Sequence, residues 1–547
     1  MMMMNLQLNT LYILKYKDII KNQIPFNLFP VINNVDNLNI FSLFDFLLKE
    51  KNANNYWYLY SYEITQLFNL LKSLQDSSFY TFKQFTYQNI MYSLEISCFL
   101  YPKKKILIKD LYNFFSENII YNDVVKDYKL LAILYNEIQT AYNININRKY
   151  ILSTASLSLR IFKKSFPEKY RLIPHLTRDE DNYIRKSYIG GRNEIFEHVA
   201  QRNYFYDVNS LYPYIMKKEK MPIGIPEYRD KEYMKKFEKN IENFFGFIDV
   251  LITIEKTNNN IPVLPYRMGI KNNVEVGIIY AKGTLRGIYF SEEIKLALKQ
   301  GYKIIEIYSA YEYKEKEVVF EEYVEQMYNR RLKAKDPALK DLYKKLLNTL
   351  YGRFGLVYEQ IDIISPEKEL ITDNTYISHD TTEFIDITAN TCYNNIAITS
   401  AITSYARIFM YNTILNYNLH VIYIDTDGLF LKNPIPDIAL TTSKEMGKFR
   451  LESINAEAHF IANKFYIYAP INSPIIYKFK GIPLQKPIFN IHDIITQHKK
   501  ILNITLGHHY FTFSIRLNNN QTYSFQASRK RKLIPNYKTT PWIICIR

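Results

Sequence analysis

The stretch HVIYIDTDGLFL, His420 to Leu431, sets four residues of turn character, Asp425-Thr426-Asp427-Gly428, between two apolar runs. That is the pattern of a tight β-hairpin with Asp-Gly supplying the turn. A hairpin needs only one acidic residue there. Two carboxylates two positions apart repel each other, and the arrangement becomes favourable when divalent cations neutralise them. A plain turn leaves the second carboxylate unexplained.

A third carboxylate stands at YFYDVNSLYPYIM, Tyr204 to Met216. The aromatic run favours a packed strand, and Asp207 falls at its end, where a carboxylate can leave the core. Pro213 limits Leu211 and Tyr212 to a turn rather than a continued strand. Alone, an Asp at a strand end is usually a cap. Joined to the Asp-x-Asp of the hairpin, it makes an anionic, oxygen-only set suited to two Mg²⁺ ions, the pair that serves in-line phosphoryl or nucleotidyl transfer.

Between these two stretches lies NRRLKAKDPALKDLYKKLLNTLYGRFG, Asn329 to Gly355. From Ala338 its spacing predicts a helix, within a longer helical region over Phe320–Tyr351. Leu339, Leu342, Leu346 and Leu350 share one side; Lys340, Lys344, Asn348 and Tyr351 share the other. Gly352 is placed to end the helix. A face of Lys, amide and aromatic can hold a triphosphate and stack on a base, whereas a solvated basic face is the ordinary alternative. Helices are also predicted over Val124–Tyr142 and over Ser291–Gln300, the latter opening on a Ser/Glu cap.

In this order the three segments resemble motifs A, B and C of family B DNA polymerases: DVNSLYP from Asp207, KKLLNTLYG from Lys344 and YIDTD from Tyr423. Three further matches resemble protein-primed polymerases of linear mitochondrial plasmids and related phages. They are YIGG at Tyr188–Gly191, TSYAR at Thr403–Arg407 and KFY at Lys464–Tyr466. The segment Phe245–Arg331 is similar in character to the long inter-motif segment of that group. The likeness runs from about residue 150 to the C-terminus.

The resemblance implies an α+β multidomain fold, a right hand of palm, fingers and thumb behind a degenerate ribonuclease H-like exonuclease domain. The expected segments are 1–150 for the exonuclease-like domain, 151–200 for a linker with the Y-x-G-G motif, and 201–319 for the first part of the palm. Fingers are expected at 320–356, the second part of the palm at 357–440, and the thumb and C-terminal region at 441–547. Asp207, Asp425 and Asp427 would be catalytic, with Asp207, Asp427 and the Val208 carbonyl on two Mg²⁺ ions. Ser210, Leu211, Tyr212, Lys344, Asn348 and Tyr351 would bind the nucleotide, with Lys333 or Lys335 as a second cation and Tyr212 excluding a 2′-hydroxyl. Tyr188, Gly190, Gly191, Thr403, Arg407, Lys464 and Tyr466 would contact DNA. The implied partners are template-primer DNA, dNTPs and a terminal protein primer, in a mitochondrial setting.

Two departures stand out. Gly428 occupies the position of the family's motif C serine. The exonuclease motifs are eroded: no D-x-E precedes Tyr188, WYLYSYE (Trp57–Glu63) lacks the second motif's Asn and Asp, and DVVKDYKLL keeps Asp127 but has Asp123 in place of Tyr. Proofreading is therefore not expected, and a decayed polymerase remnant that only binds DNA is the alternative function. A reverse transcriptase or RNA polymerase is a further rival, against which the aromatic ring of Tyr212 argues.

Composition agrees with this reading. Among 547 residues, Lys+Arg 70 exceed Asp+Glu 54, for a net charge of +16, which favours a polyanionic partner. No run of about 20 apolar residues is present, so a membrane-spanning helix is not expected. Three cysteines, Cys98, Cys392 and Cys545, are too few and scattered for a disulfide framework. Four Met residues and a polar stretch open the chain, without the apolar region of a secretory signal or an Arg/Ser-rich presequence. With 49 Tyr and 34 Phe against 15 Gly, the usage suits an A/T-rich genome such as that of an organelle or its plasmid.

Overall fold

The computed structural model describes residues 11–14, 56–61, 64–65, 80–87, 90–98, 100, 104–116, 119–120, 124–147, 151–255, 261–268, 270–271, 274–275, 277–356, 359–363, 383–385, 391–392, 394–441, 445–480, 491–505, 510–516 and 522–544. The chain forms two discontinuous units, residues 1–171 with 322–394 and residues 172–321 with 395–547. The exonuclease-like residues Glu63 and Asp123 lie outside the described residues, as does the side chain of Asp127.

The first unit is built on a seven-stranded mixed sheet. Leu11–Leu14, Tyr56–Ser61 and Lys105–Asp110 run parallel, while Ile90–Cys98 and Tyr80–Tyr87 continue the sheet antiparallel. The predicted helix Val124–Tyr142 forms over those same residues. The expected helical region Phe320–Tyr351 is two helices, Glu321–Lys333 and Pro337–Phe354. The break has a local cause: Asp336 caps the second helix by accepting from the Ala338 N–H, and Pro337 follows at its first position. That helix runs past Gly352, and Gly355 ends it.

Leu342, Leu346 and Leu350 face inward, whereas Lys340, Lys344 and Asn348 are exposed and Tyr351 is half-buried. The inward side packs on the helix Thr154–Ser165. Phe162 meets Tyr323 and Phe354 edge-on, at 5.8 and 6.4 Å between ring centroids. Asp341 accepts from both the backbone N–H and the hydroxyl of Ser116, and Glu137 accepts from the Tyr343 hydroxyl.

Residues 359–363 and 383–385 add two antiparallel strands to this first sheet, pairing through Tyr80–Tyr87. These strands fall in the segment 357–440 expected as the second part of the palm. Its first part is hydrogen-bonded into the N-terminal sheet, and only 395 onward belongs to the second unit.

The second unit carries the Asp207 sheet, seven strands with every neighbouring pair antiparallel. In spatial order they are Ile476–Phe479, Phe465–Pro470, Phe449–Ala462, Val199–Val208, Gly428–Leu431, Val421–Asp425 and Asn193–Ile195. The linker 151–200 supplies an edge strand, and 441–547 contributes three strands before leaving the sheet. Aromatic residues alternating inward bind one face together: Phe205 stacks on Phe430 at 4.3 Å, and Tyr423, Phe460, Tyr466 and Tyr468 close around them.

A second, five-stranded sheet has Gly246–Ile254 at its centre, flanked by Lys282–Phe290 and Lys303–Glu312. The helix Ser291–Lys299 follows directly. Its cap differs from expectation: Phe290 is the cap residue, and the Ser291 hydroxyl instead accepts from the Gly246 N–H. The helix Ile396–Asn416 is buried along most of its length. Among the described residues no helix is long and apolar enough to cross a membrane.

Candidate active site

The Tyr204–Met216 stretch and the hairpin meet on adjacent strands. Asp207 pairs in register with Gly428, and the Val208 N–H donates to the Asp427 carbonyl at 3.0 Å. The hairpin loop is Thr426–Asp427 rather than Asp427–Gly428, since Asp425 pairs directly with Gly428. Thr426 takes the left-handed backbone (φ 67), and the Asp427 N–H folds back to the Asp425 carbonyl at 2.8 Å. A tight turn thus sets Asp427 beside the end of the Asp207 strand.

Asp207 has its pKa pushed up to about 7, first by burial, then by the charges of Asp427 and Glu452, against a smaller opposing pull from Arg450. Asp427 is also raised, mainly by burial, with Asp425 adding to it. Such carboxylates are costly to ionise together, and a cation relieves that cost. Among the described residues no three His, Cys, Asp or Glu side chains form a ready-made cage. The expected set of three carboxylates is therefore not gathered in this geometry; Mg²⁺ typically takes one or two carboxylates, several waters and substrate phosphates. Asp207, Asp427 and the Val208 carbonyl suit that role by donor chemistry.

Asp425 has a different environment. Its Oδ1 accepts from Asn193 Nδ2 at 2.7 Å and lies 3.4 Å from Lys464 Nζ, while its Oδ2 accepts from the Tyr466 hydroxyl at 3.1 Å. The Lys464 N–H donates to the Tyr423 hydroxyl, which donates in turn to Asn193 Oδ1. Asp425 therefore fastens the KFY segment to the hairpin. Asn193 was not singled out in the sequence, and its partner lies 232 residues away.

Non-glycine residues with positive φ mark three motif segments: Ser210 at φ 54, Thr426 at φ 67 and Lys464 at φ 60. Such backbone is costly outside glycine and persists where surrounding contacts enforce it. After Ser210 the chain enters a helix, Leu211–Lys218, rather than the expected turn. Pro213 fits its first turn because N–H groups there have no intrahelical acceptor in any case. Leu211 is buried and Tyr212 half-buried.

Gly191 lies against both motifs. A Cβ there would stand 2.4 Å from Thr426 Cγ2 and 3.0 Å from the Tyr212 hydroxyl. The Thr426 N–H donates to the neighbouring Arg192 carbonyl at 2.8 Å. Gly191→Ala is expected to shift the hairpin and slow primer extension by roughly 10–100-fold, since misplacements near 1 Å cost about that much. Single-turnover rates on a primer-template at saturating dNTP would measure it; a wild-type rate would show that the turn yields without consequence.

The departure at Gly428 also has a packing reason. A Cβ there would come within 3.0 Å of Phe205 Cε2, so a serine would need that ring to give by a few tenths of an ångström.

Thr403 and Arg407, expected on DNA, are both buried. The Arg407 guanidinium makes a two-point ion pair with Glu293, at 2.8 and 2.7 Å. It also donates to the Ser404 hydroxyl and to the carbonyls of Ile189 and Gly190. These five contacts use its full complement of donors. It thereby holds the YIGG loop from inside the fold. Within that loop Gly190 is exposed, Tyr188 is half-buried, and the Tyr188 carbonyl accepts from Arg267. In the first unit, Lys344 and Asn348 project into solvent from one helix, and Lys333, at the end of the preceding helix, and Lys335, on the connection, are also exposed.

The fold is that of a phi29-type polymerase. Phi29 DNA polymerase complexed with primer-template DNA matches with a TM-score of 0.61 at 16% identity, over 90% of this chain and 93% of that one. A family model described as DNA polymerase type B, organellar and viral, matches residues 8–446, and the chain belongs to that family.

Relatives include a probable DNA polymerase of Neurospora intermedia, 32% identical over 375 residues, covering 63% of this chain and 36% of that protein. A probable DNA polymerase of Ascobolus immersus is 27% identical over 473 residues, covering 80% and 38%. The DNA polymerase of Streptococcus phage Cp-1 is 27% identical over 356 residues, covering 62% and 60%. The matches span little more than a third of the two fungal proteins' length.

Proposed function

We propose that this chain is a DNA-directed DNA polymerase of the protein-primed type, joining dNTPs to a primer 3′ end by two-metal nucleotidyl transfer. The observation that carries this reading is the meeting of Asp207, at the end of its strand, with Asp427 in the turn of the neighbouring hairpin, both raised in pKa. In the reaction the primer 3′-hydroxyl attacks the α-phosphate of a dNTP and pyrophosphate leaves. Bound Mg²⁺ would make that hydroxyl more acidic and neutralise charge on the triphosphate. Asp207, Asp427 and the Val208 carbonyl would hold the ions. Asp425 would act in support, keeping Lys464 and Tyr466 fixed for the primer strand.

Lys344, Asn348 and Tyr351, with Lys333 or Lys335, would meet the triphosphate and base from the fingers, and Ser210, Leu211 and Tyr212 would form the sugar side of the nucleotide site. Palm, fingers and thumb then correspond to the Asp207 sheet, the helices of 321–354 and the C-terminal region beyond 479. A terminal protein primer and a linear mitochondrial plasmid as template complete the proposal, supported by the fungal relatives, the phage relative and the A/T-biased composition. The N-terminal region is proposed to lack exonuclease activity.

Extension of a 5′-labelled primer by purified protein with Mg²⁺ and four dNTPs tests the reading. Binding without any extension would favour the DNA-binding remnant instead. The same assay tests sugar selection. Tyr212→Ala should admit ribonucleotides at least roughly tenfold better relative to dNTPs, because removing the ring opens space for a 2′-hydroxyl. Unchanged discrimination would place the gate elsewhere.

A further inference from the structure

The end of the Asp207 strand is gripped on the side away from the hairpin as well. Just before the strand Phe449–Ala462, the chain trades hydrogen bonds with Asn209. The Asn209 N–H donates to the Lys448 carbonyl and the Gly447 N–H donates to the Asn209 carbonyl, each at 2.9 Å. Phe449 then pairs with Val208, and Arg450 with Asp207. On the opposite side the Val208 N–H donates to the Asp427 carbonyl.

These bonds fix more than a strand end. The Val208 carbonyl and the Asn209 N–H belong to one planar trans peptide and point in opposite directions. With that N–H turned to Lys448, the Val208 carbonyl is turned to the hairpin side, where Asp427 stands. A tilt of this one peptide would swing the carbonyl away from the carboxylates.

Gly447 permits the arrangement. It is buried at φ +78, the left-handed region that disfavours a residue with a Cβ. The Tyr214 ring lies so close that a Cβ at 447 would stand 2.5 Å from its Cδ2 and 2.6 Å from its Cε2 and Cγ. Tyr214 comes from the helix Leu211–Lys218 and meets Phe409 edge-on at 5.4 Å, while Phe409 lies parallel to Phe449 at 6.2 Å. The row of rings thus ends on the residue that pairs with Val208.

We propose that Gly447 and Tyr214 are positioning residues for Mg²⁺: the ring presses 447–448 against Asn209, and that contact aims the Val208 carbonyl. The inference rests on the reading of Asp207, Asp427 and the Val208 carbonyl as metal ligands, and names what holds the third of them. Neither side chain touches the ion, so both act through the backbone.

Mn²⁺ serves as the probe. Melting temperatures of full-length protein without DNA are measured at pH 8 across a Mn²⁺ series, each variant against its own metal-free baseline. Wild type should gain stability as the ion relieves the carboxylates, and Asp207→Ala should gain far less. Tyr214→Ala should raise the half-saturating Mn²⁺ concentration roughly tenfold, within the usual cost of losing an outer partner of a metal ligand. Gly447→Ala should raise it at least as far. Adding Tyr214→Ala to Gly447→Ala should bring the value back toward wild type, because the new Cβ takes room that the ring vacates. Tyr214→Phe keeps the ring and should keep the wild-type value.

Unchanged Mn²⁺ dependence in Tyr214→Ala, however far its baseline melting temperature falls, would make the contact one of packing alone and overturn the assignment, whether or not Gly447→Ala folds. A double variant no better than Gly447→Ala would overturn the part given to the ring. If Asp207→Ala gains as much from Mn²⁺ as wild type does, the metal reading itself fails.

Discussion

Asp427→Ala is expected to reduce nucleotide incorporation by roughly 10³-fold or more, about 4 kcal/mol of transition-state stabilisation, while primer-template binding changes little. Asp207→Ala should behave alike. Both side chains are raised in pKa by burial, so they weaken the metal-free fold once ionised. For Asp207 the folded-state pKa of about 7 lies above its ordinary 3.8, so its ionisation removes stability as pH rises through that interval. Either alanine variant should therefore melt at or above the wild-type temperature at pH 8 without divalent cations. Affinity for DNA comes mostly from Lys and Arg on phosphates, which these substitutions leave in place. Pre-steady-state extension, anisotropy and thermal melts together provide the check. Robust extension by either variant would remove the assignment of these residues as metal ligands. Asp425→Ala should differ in kind: it unfastens Asn193, Lys464 and Tyr466, so weaker primer binding should accompany its loss of activity.

The second large effect is on stability. Arg407→Ala is expected to cost about 3–5 kcal/mol, the usual penalty for leaving one member of a buried ion pair alone. Glu293 is 2% exposed and would be left buried without its guanidinium partner. The carbonyls of Ile189 and Gly190 would also lose a donor, and with them the YIGG loop its hold. The melting temperature should fall by roughly 10 °C. Combining Arg407→Met with Glu293→Leu should restore much of the stability, since an apolar pair removes the stranded charge. Extension should stay impaired, because the loop carbonyls still lack their donor. Full recovery of extension in the double variant would assign Arg407 a purely packing role.

The parts of this site that were legible in the sequence are short and local. Asp207 at a strand end and the Asp-x-Asp hairpin each announce themselves within a dozen residues, and apolar spacing located Val124–Tyr142. Reading failed where the cause is a distant partner. Nothing near Asn193 reveals that it will hold Asp425, and Glu293 is an ordinary first-turn acid until Arg407 meets it across 114 residues. TSYAR was recognisable as a motif while its direction, inward rather than toward DNA, was not. Strand pairing across distant segments was not legible either: 449–479 join the Asp207 sheet, and 359–363 the N-terminal sheet. The break at Asp336-Pro337 was a local signal that the uninterrupted run of helix formers concealed.

The packing of Pro337–Phe354 on the first 171 residues bears on how such a protein changes over evolutionary time. A region that has lost its own chemistry ordinarily drifts freely and is deleted. Here the helix Thr154–Ser165 forms the apolar bed for Leu342, Leu346 and Leu350, while Ser116 anchors Asp341 and Glu137 receives Tyr343. Deleting them would strip the helix that displays Lys344 and Asn348. Selection on the Pro337–Phe354 helix would therefore conserve the interior of residues 1–171. Lineages should show these helix-facing surfaces changing slowly, whatever happens at the positions that face away from it.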